Sequence, residues 1–229
     1  MFKILIGTSG FSYPEWKGSF YPDDLPTKNY LSFYAQHFKT TEINNTFYRL
    51  PSRKTTEGWY ETVPADFSFT LKLTQKITHI RRLKGADSEM SAFLEGAAGL
   101  MEKMGPILVQ LPPNFKKDTI VLQEFLSNYA KNRMLAFEFR HPSWFSDDTY
   151  ELLKTHNSSL GVVEGEGFET VKIATGPFIY MRLRKGDYTN EELGSWGDWI
   201  KSQDKDVYCY LKHDEKAPVL AKQLMEFLE

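Results

Sequence analysis

Short runs rich in Val, Ile, Phe and Leu recur along the chain at 3–7, 40–45, 68–73, 107–111, 134–139, 159–163, 178–183 and 207–212. Gly, Pro or Asn bounds most of them, as expected of strands. Between them the apolar residues take a helical period. In 28–38, Tyr30, Phe33, Tyr34 and Phe38 share one stripe. In 118–131, Asp118 is a candidate N-cap, and Leu122, Phe125, Leu126 and Tyr129 form the face to be buried. Similar patterns cover 53–62, 88–103, 147–156, 189–202 and 215–228, with Asp87 or Ser88 as cap of the 88–103 helix and Gly105-Pro106 as its stop. Eight strands alternating with seven or eight helices predict βα units and a parallel sheet. In 229 residues they predict an α/β fold of the TIM-barrel-like (β/α)8 type, a closed parallel barrel near the small end of its size range; a doubly wound open sheet is the rival. No Pro- or Gly-rich linker divides the chain, so residues 1–229 read as one domain.

Successive strand side chains point to opposite faces, so each strand can be sorted by parity. Glu42 and Asn44 oppose Ile43 in the second strand, and Thr70 and Lys72 oppose Leu71 and Leu73 in the third. Gln110 opposes Val109 and Leu111 in the fourth; Glu138 and Arg140 oppose Phe137 and Phe139 in the fifth. Tyr180 and Arg182 oppose Ile179, Met181 and Leu183 in the seventh, and Tyr208, Tyr210 and Lys212 oppose Val207, Cys209 and Leu211 in the eighth. Each polar group lies toward the C-terminal end of its strand. In a barrel the apolar face packs on the outer helices, and the other face points to the axis and the C-terminal mouth, where active sites form. Two acids, Glu42 and Glu138, would meet four bases, Lys72, Arg140, Arg182 and Lys212. That excess favours a small anionic ligand such as a phosphate or carboxylate. An internal ion-pair network that only holds the barrel together is the competing reading, with Glu138 and Arg140 as a natural pair.

Composition narrows the setting. The formal charge of −2 gives no global attraction to nucleic acid or anionic membrane, so anion binding has to be local. The single cysteine cannot form an internal disulfide, which with the absence of a signal-peptide core suggests a cytoplasmic setting. Nowhere do about 18 apolar residues run together, so no membrane span is expected.

Several motifs carry two readings. GTSG (7–10) is a tight βα turn or, with Ser9, a backbone anion cradle. FSYPEWKGSFYP (11–22) supplies Tyr13, Trp16, Phe20 and Tyr21, either as a pocket wall and stacking platform or as a satellite core plugging the barrel. His79 is a structural loop residue, an acid/base or an anion contact. The acidic loop EGEGFE (164–169) reads as solvated. No cofactor is predicted. Glu42, His79, Glu138, His141, His213 and Asp214 are the residues a divalent metal would use, but no HxH, HExxH or CxxC spacing supports one, and Lys72, Arg140 and Arg182 would repel it.

A series of motifs, GTSGFSYPEWKGSFYP (7–22), TEINNTFYRLP (41–51), ITHIRRL (77–83), GPILVQLPPNF (105–115), AFEFRHPSWF (136–145) and YMRL (180–183), resembles the DUF72 or YecE-like family, in the family's order. The resemblance implies a TIM-barrel-like fold and adds no chemistry, since the family is named for unknown function. Its motif positions fall here on Gly7, Ser9, Gly10, Trp16, Tyr21, Glu42, Asn44, Thr46, Tyr48, Lys72, His79, Gln110, Glu138, Arg140, Trp144 and Arg182. The chain departs from the pattern late. Arg184 stands where a histidine is expected, and Lys212-His213 replaces an Asn-Asn pair before Asp214.

The functional expectation is a barrel enzyme acting on a small phosphorylated or carboxylated substrate, with hydrolase, lyase and isomerase chemistry all open. Glu42, Glu138, Lys72 and His79 are the candidate catalytic residues. Ser9, Tyr13, Trp16, Asn44, Tyr48, Gln110, Arg140, Trp144, Tyr180 and Arg182 are the candidates to hold the ligand. The alternatives are a nucleic-acid-binding or repair-type protein that processes a phosphodiester, and a non-catalytic ligand-binding protein with its acids locked in ion pairs. The sequence says nothing of oligomeric state.

Overall fold

The computed structural model describes residues 2–165, 170–212 and 215–229. Its eight strands are β1 (Ile4–Ser9), β2 (Thr40–Ile43), β3 (Ser68–Lys72), β4 (Met104–Gln110), β5 (Leu135–Glu138), β6 (Ser159–Glu164), β7 (Phe178–Leu183) and β8 (Asp206–Leu211). All pair in parallel and in sequence order, and β8 returns to β1 to close the barrel. The helices are α1 (Tyr30–Tyr34), α2 (Arg53–Thr62), α3 (Asp87–Ala97), α4 (Thr119–Tyr129), α5 (Asp147–Thr155), α6 (Asn190–Lys201) and α7 (Ala217–Glu226). The predicted (β/α)8 barrel is therefore the fold, and the open-sheet rival falls.

The parity of each strand sorts its residues into two cores. Ile43, Leu71, Val109, Phe137, Met181, Cys209 and Leu211 join one continuous apolar shell with the helices. Leu108, Ala136, Phe178, Tyr180, Tyr208 and Tyr210 form a second cluster with Leu5 and Met134. That second cluster fills the N-terminal half of the barrel, so the interior is packed and leaves only its C-terminal end for polar chemistry.

Tyr210 joins the two halves. Its hydroxyl lies 2.8 Å from Thr40 Oγ1 and 2.7 Å from Thr70 Oγ1. Thr40 spends its one hydroxyl proton on the Ser68 carbonyl at 2.8 Å. Tyr210 therefore donates to Thr40 and accepts from Thr70. Outside the barrel, Tyr34 of α1 ties β1 to β2, accepting from Thr8 N at 2.9 Å and donating to the Thr40 carbonyl at 3.0 Å.

Three local expectations are corrected. β2 ends at Ile43, and Asn44 has helical φ/ψ at the start of a 3-10 turn, so it shares no strand face with Glu42. Gly105 and Pro106 do not stop a helix; they lie inside β4, where the register against β3 shifts between Phe69 and Leu71. A bulge is where a proline, lacking its N–H, fits a central strand. Neither Asp87 nor Ser88 caps α3, whose N-cap position is Ala86, whereas Asp118 does cap α4, accepting from Val121 N at 3.1 Å.

Tyr210→Phe strips a buried donor from Thr40 and a buried acceptor from Thr70. Urea unfolding should register a loss of about 1–3 kcal/mol; an unchanged midpoint would mean the two threonines find other partners.

Candidate functional site

The barrel register sets functional groups side by side. Ser9 lies beside Glu42 and Gln110 beside Glu138 in adjacent strands. Their side chains bond at the same level: Ser9 Oγ donates to Glu42 Oε1, and Gln110 Nε2 donates to Glu138 Oε1 at 2.6 Å. Arg182, from β7, reaches across the axis between these pairs. Its Nη1 meets Glu138 Oε2 at 2.6 Å and its Nη2 meets Glu42 Oε1 at 2.9 Å. Tyr180 donates to Glu42 Oε2, and Arg140 pairs with Glu138 Oε1. Asn44 arrives at the same cluster from its turn, its Nδ2 donating to Ser9 Oγ at 2.8 Å and to Glu42 Oε1 at 3.0 Å.

Both carboxylates are fully buried. Burial alone would push the Glu42 carboxyl up; the Arg182 guanidinium and the hydroxyls of Ser9 and Tyr180 outweigh it and hold the carboxyl below its ordinary range. Burial likewise opposes ionisation of Glu138, but Arg182, Arg140 and the Gln110 amide bring it down to about 2. Neither acid is poised to exchange a proton near neutrality.

Above this tier lies an open cavity of about 470 Å³. Of the sequence-predicted residues, Tyr13, Asn44, Tyr48, Lys72, His79, Gln110, Arg140 and Arg182 line it. Ser9, Glu42, Glu138 and Tyr180 sit beneath, in contact with that lining through Arg182, Asn44 and Gln110. Among the described residues no Asp or Glu lines the cavity.

Trp16 and Trp144 lie elsewhere. Trp16 is buried and packs with Tyr21, which stacks on Tyr30 of α1 at 4.0 Å between centroids, while Phe20 meets Phe33 edge-on. That is the satellite-core reading, and only Tyr13 of the aromatic loop reaches the cavity. Trp144 stacks on Phe139 at 4.7 Å and donates its indole N–H to the Phe115 carbonyl at 2.7 Å. GTSG is not a turn throughout: Gly7, Thr8 and Ser9 end β1, and the turn begins at Gly10, φ 98°, with Tyr13 OH donating to the Ser9 carbonyl at 2.8 Å. His141 takes the Ser143 N–H onto Nδ1 at 3.2 Å and turns the chain after β5.

Lys212, expected among the four bases of the mouth, lines the cavity too; the cationic lining residue absent from the expected set is Arg184, which stands there with Leu111, Pro112 and Pro113. The signal was present: Arg184 continues the parity of Tyr180 and Arg182. Arg184 is held loosely, its Nη1 4.0 Å from Glu138 Oε1, with a buried Nε that no acceptor meets among the described residues.

Lys72 and His79 both face the cavity, and both lose proton affinity there. Burial and the Arg182 charge push the Lys72 ammonium down to about 8, against Glu42 and Glu138, with Arg140 adding to the fall. Burial, and then Lys72, lower His79. Among the described residues no three His, Cys, Asp or Glu side chains gather as a metal site requires; His213, Asp214 and most of the acidic loop lie outside the described residues. No helix among them is long and apolar enough to cross a membrane.

Neighbouring cations should respond oppositely to removal. Arg182→Met leaves two buried carboxylates without their shared partner and should cost about 3–5 kcal/mol in urea unfolding. Lys72→Met removes an ammonium the site disfavours and should stabilise by on the order of 1 kcal/mol, discounted for the solvent it still reaches. Equal effects at both positions would contradict the two-tier arrangement. Acid should expose the lower tier. Because the folded carboxyl of Glu138, at about 2, lies below its unfolded value of 4.5, its stabilisation is complete above pH 4.5 and lost as pH falls toward 2. A flat melting temperature across that window would refute the ionised state.

The family profile described as "Protein of unknown function DUF72" matches residues 5–229. UPF0759 protein YecE of Escherichia coli strain K12 is 31% identical over 144 residues, covering 62% of this chain and 50% of its own; the chain thus spans about half the length of the curated relatives it matches. The crystal structure of a DUF72 family protein from Thermotoga maritima MSB8 superposes with a TM-score of 0.86 at 27% identity, covering 99% of both chains. A glycoside hydrolase family 5 enzyme from Prevotella bryantii B14 shares the barrel alone, with a TM-score of 0.51 at 10% identity over 98% of this chain and 96% of its own. With its fold, its motif order and the matched span in agreement, the chain belongs to the DUF72 family.

Proposed function

We propose that this protein is a barrel enzyme that takes a small phosphorylated or carboxylated molecule into the C-terminal mouth. The observation that carries the reading is the separation of charge along the axis. Five cationic side chains, Lys72, Arg140, Arg182, Arg184 and Lys212, line the cavity, while the two carboxylates lie sealed beneath it. An anion entering there meets guanidinium donors in a partly desolvated site, where charge-assisted hydrogen bonds are strong. Gln110 and Asn44 are fixed by the lower tier and can orient neutral substrate groups. The shared barrel of the glycoside hydrolase does not extend to its chemistry. Two-carboxylate glycoside cleavage needs acids facing the sugar, and Glu42 and Glu138 face Arg182 instead.

The locked carboxylates favour a second reading, a non-catalytic ligand-binding protein. A third, recognition of a nucleic-acid phosphate, draws support from a basic cleft lined by Arg81, Arg82, Lys84, Lys116 and Lys117 in the loops after β3 and β4.

Titration calorimetry at low ionic strength should show saturable binding of inorganic phosphate that weakens with added chloride, and Arg184→Ala should lower the affinity about tenfold. Absence of binding, or an unaltered affinity in Arg184→Ala, removes this site. Displacement of phosphate by a short single-stranded oligonucleotide would favour the nucleic-acid reading.

A further inference from the structure

Lys72 lines the cavity and takes no part in the ion pairs of the lower tier. It ends β3 at the mouth, where Arg182 and Arg140 hold Glu138 and Arg182 also holds Glu42. Among the described residues no carboxylate comes within ion-pair distance of Lys72 Nζ and no hydrogen bond reaches it. Its close neighbour is the face of Phe47, 4.2 Å from the ring centroid. The groups facing it are Arg182, Arg140, Glu42 and Glu138 from the other strands and His79 from its own loop. A lysine partly buried beside a guanidinium, with the acids claimed by others, is an amine pressed toward its neutral form, against the pull of the Phe47 face on its charge. Arginine cannot take that role, because its guanidinium keeps its proton.

His79 supplies a partner for proton movement. It lies on a single π-helical turn (Lys76–Ile80), lines the same cavity and meets Phe47 edge-on at 4.9 Å. Thr78 Oγ1 donates to the Thr74 carbonyl at 3.2 Å, so at its 2.8 Å contact with His79 it can only accept. Nδ1 therefore carries the ring proton and Nε2 is the basic nitrogen.

We propose that Lys72 is a nucleophilic amine that condenses at the barrel mouth with the carbonyl carbon of an oxo-anion, an aldehyde or ketone bearing a carboxylate or a phosphate. The inference rests on the anion-binding reading of the mouth, with Arg184 and its neighbours holding the anionic end. The Lys72 ammonium sheds a proton to water in the mouth and the neutral amine attacks the carbonyl carbon; a C–N bond forms and the C=O π pair moves to oxygen, which takes that proton back from water. His79 Nε2 removes a proton from nitrogen and returns it to the hydroxyl. That group leaves as water when the nitrogen lone pair closes the C=N bond. The balance is carbonyl plus lysine ammonium giving protonated imine plus water, with no change of oxidation state. The burial and charge that lower the Lys72 ammonium leave roughly a tenth of it neutral at pH 7, two orders of magnitude more than an exposed lysine.

The test treats the whole protein with sodium cyanoborohydride and either pyruvate, the carboxylate probe, or glyceraldehyde 3-phosphate, the phosphate probe, followed by intact mass and peptide mapping. The expected result is one reduced adduct per chain at Lys72, formed at least tenfold faster than on surface lysines and slowed by inorganic phosphate. It should be absent in Lys72→Arg and Lys72→Met, with circular dichroism confirming that both fold, and its rate should rise with pH to a plateau above about 8. The probe with the larger ratio of rate at Lys72 to rate at surface lysines identifies the anion. No adduct at Lys72 from either probe while phosphate still binds by calorimetry overturns the imine and leaves the anion site standing. Loss of both adduct and phosphate binding overturns the anion site as well. Labelling spread over surface lysines and unchanged in Lys72→Arg also overturns the proposal.

Discussion

The Arg182 guanidinium, suspended between Glu42 and Glu138, is the constraint around which the upper half of the barrel is arranged. Three charges taken out of water are costly, and they persist only because each finds further partners: Ser9, Tyr180 and Asn44 on one carboxylate, Gln110 and Arg140 on the other. Those partners come from β1, β2, β4, β5 and β7 and the turns that follow them. The network therefore links opposite walls of the barrel and fixes the floor of the cavity. It also decides which groups remain available for chemistry. With both acids held ionised beneath the floor, Lys72 and His79 face the cavity with lowered proton affinity.

The apolar lower half makes this division possible. Leu108, Ala136, Phe178 and Tyr208 fill the axis near the N-terminal ends of the strands, so water reaches the polar tier only from the mouth. Tyr210 and its two threonines mark the boundary, satisfying one another where packing gives way to charge. A cation at the mouth is thus desolvated on one side and open on the other. That is the setting in which a lysine shifts its proton affinity while an arginine keeps its charge.

Much of this was legible in the sequence, because a period of two along each strand needs no knowledge of the partner strand. It placed Glu42, Lys72, Gln110, Glu138, Tyr180, Arg182 and Lys212 on the axial face, and extended by two residues along the seventh strand it would have added Arg184. What the pattern could not show is who pairs with whom across the barrel. That Arg182 of β7 sits between acids of β2 and β5 depends on closure, which buries Glu42 and Glu138, the two candidate acid/base residues, in ion pairs. Asn44 reached the site by a turn rather than by strand parity, through its amide contacts to Ser9 and Glu42. Trp16 and Trp144 looked equally suited to a pocket wall and to a core. Their stacking partners, Tyr21 with Tyr30 and Phe139, come from helices and strands whose packing a linear reading does not supply.

The central claim is that negative charge in this barrel is sealed below the mouth and positive charge lines it. A crystal structure of the protein soaked in phosphate at low ionic strength tests it most directly. The account predicts tetrahedral density in the cavity within hydrogen-bond reach of Arg184, above an intact Glu42–Arg182–Glu138 bridge. An empty mouth at saturating phosphate, or Glu42 or Glu138 turned away from Arg182 to face the cavity, would contradict it.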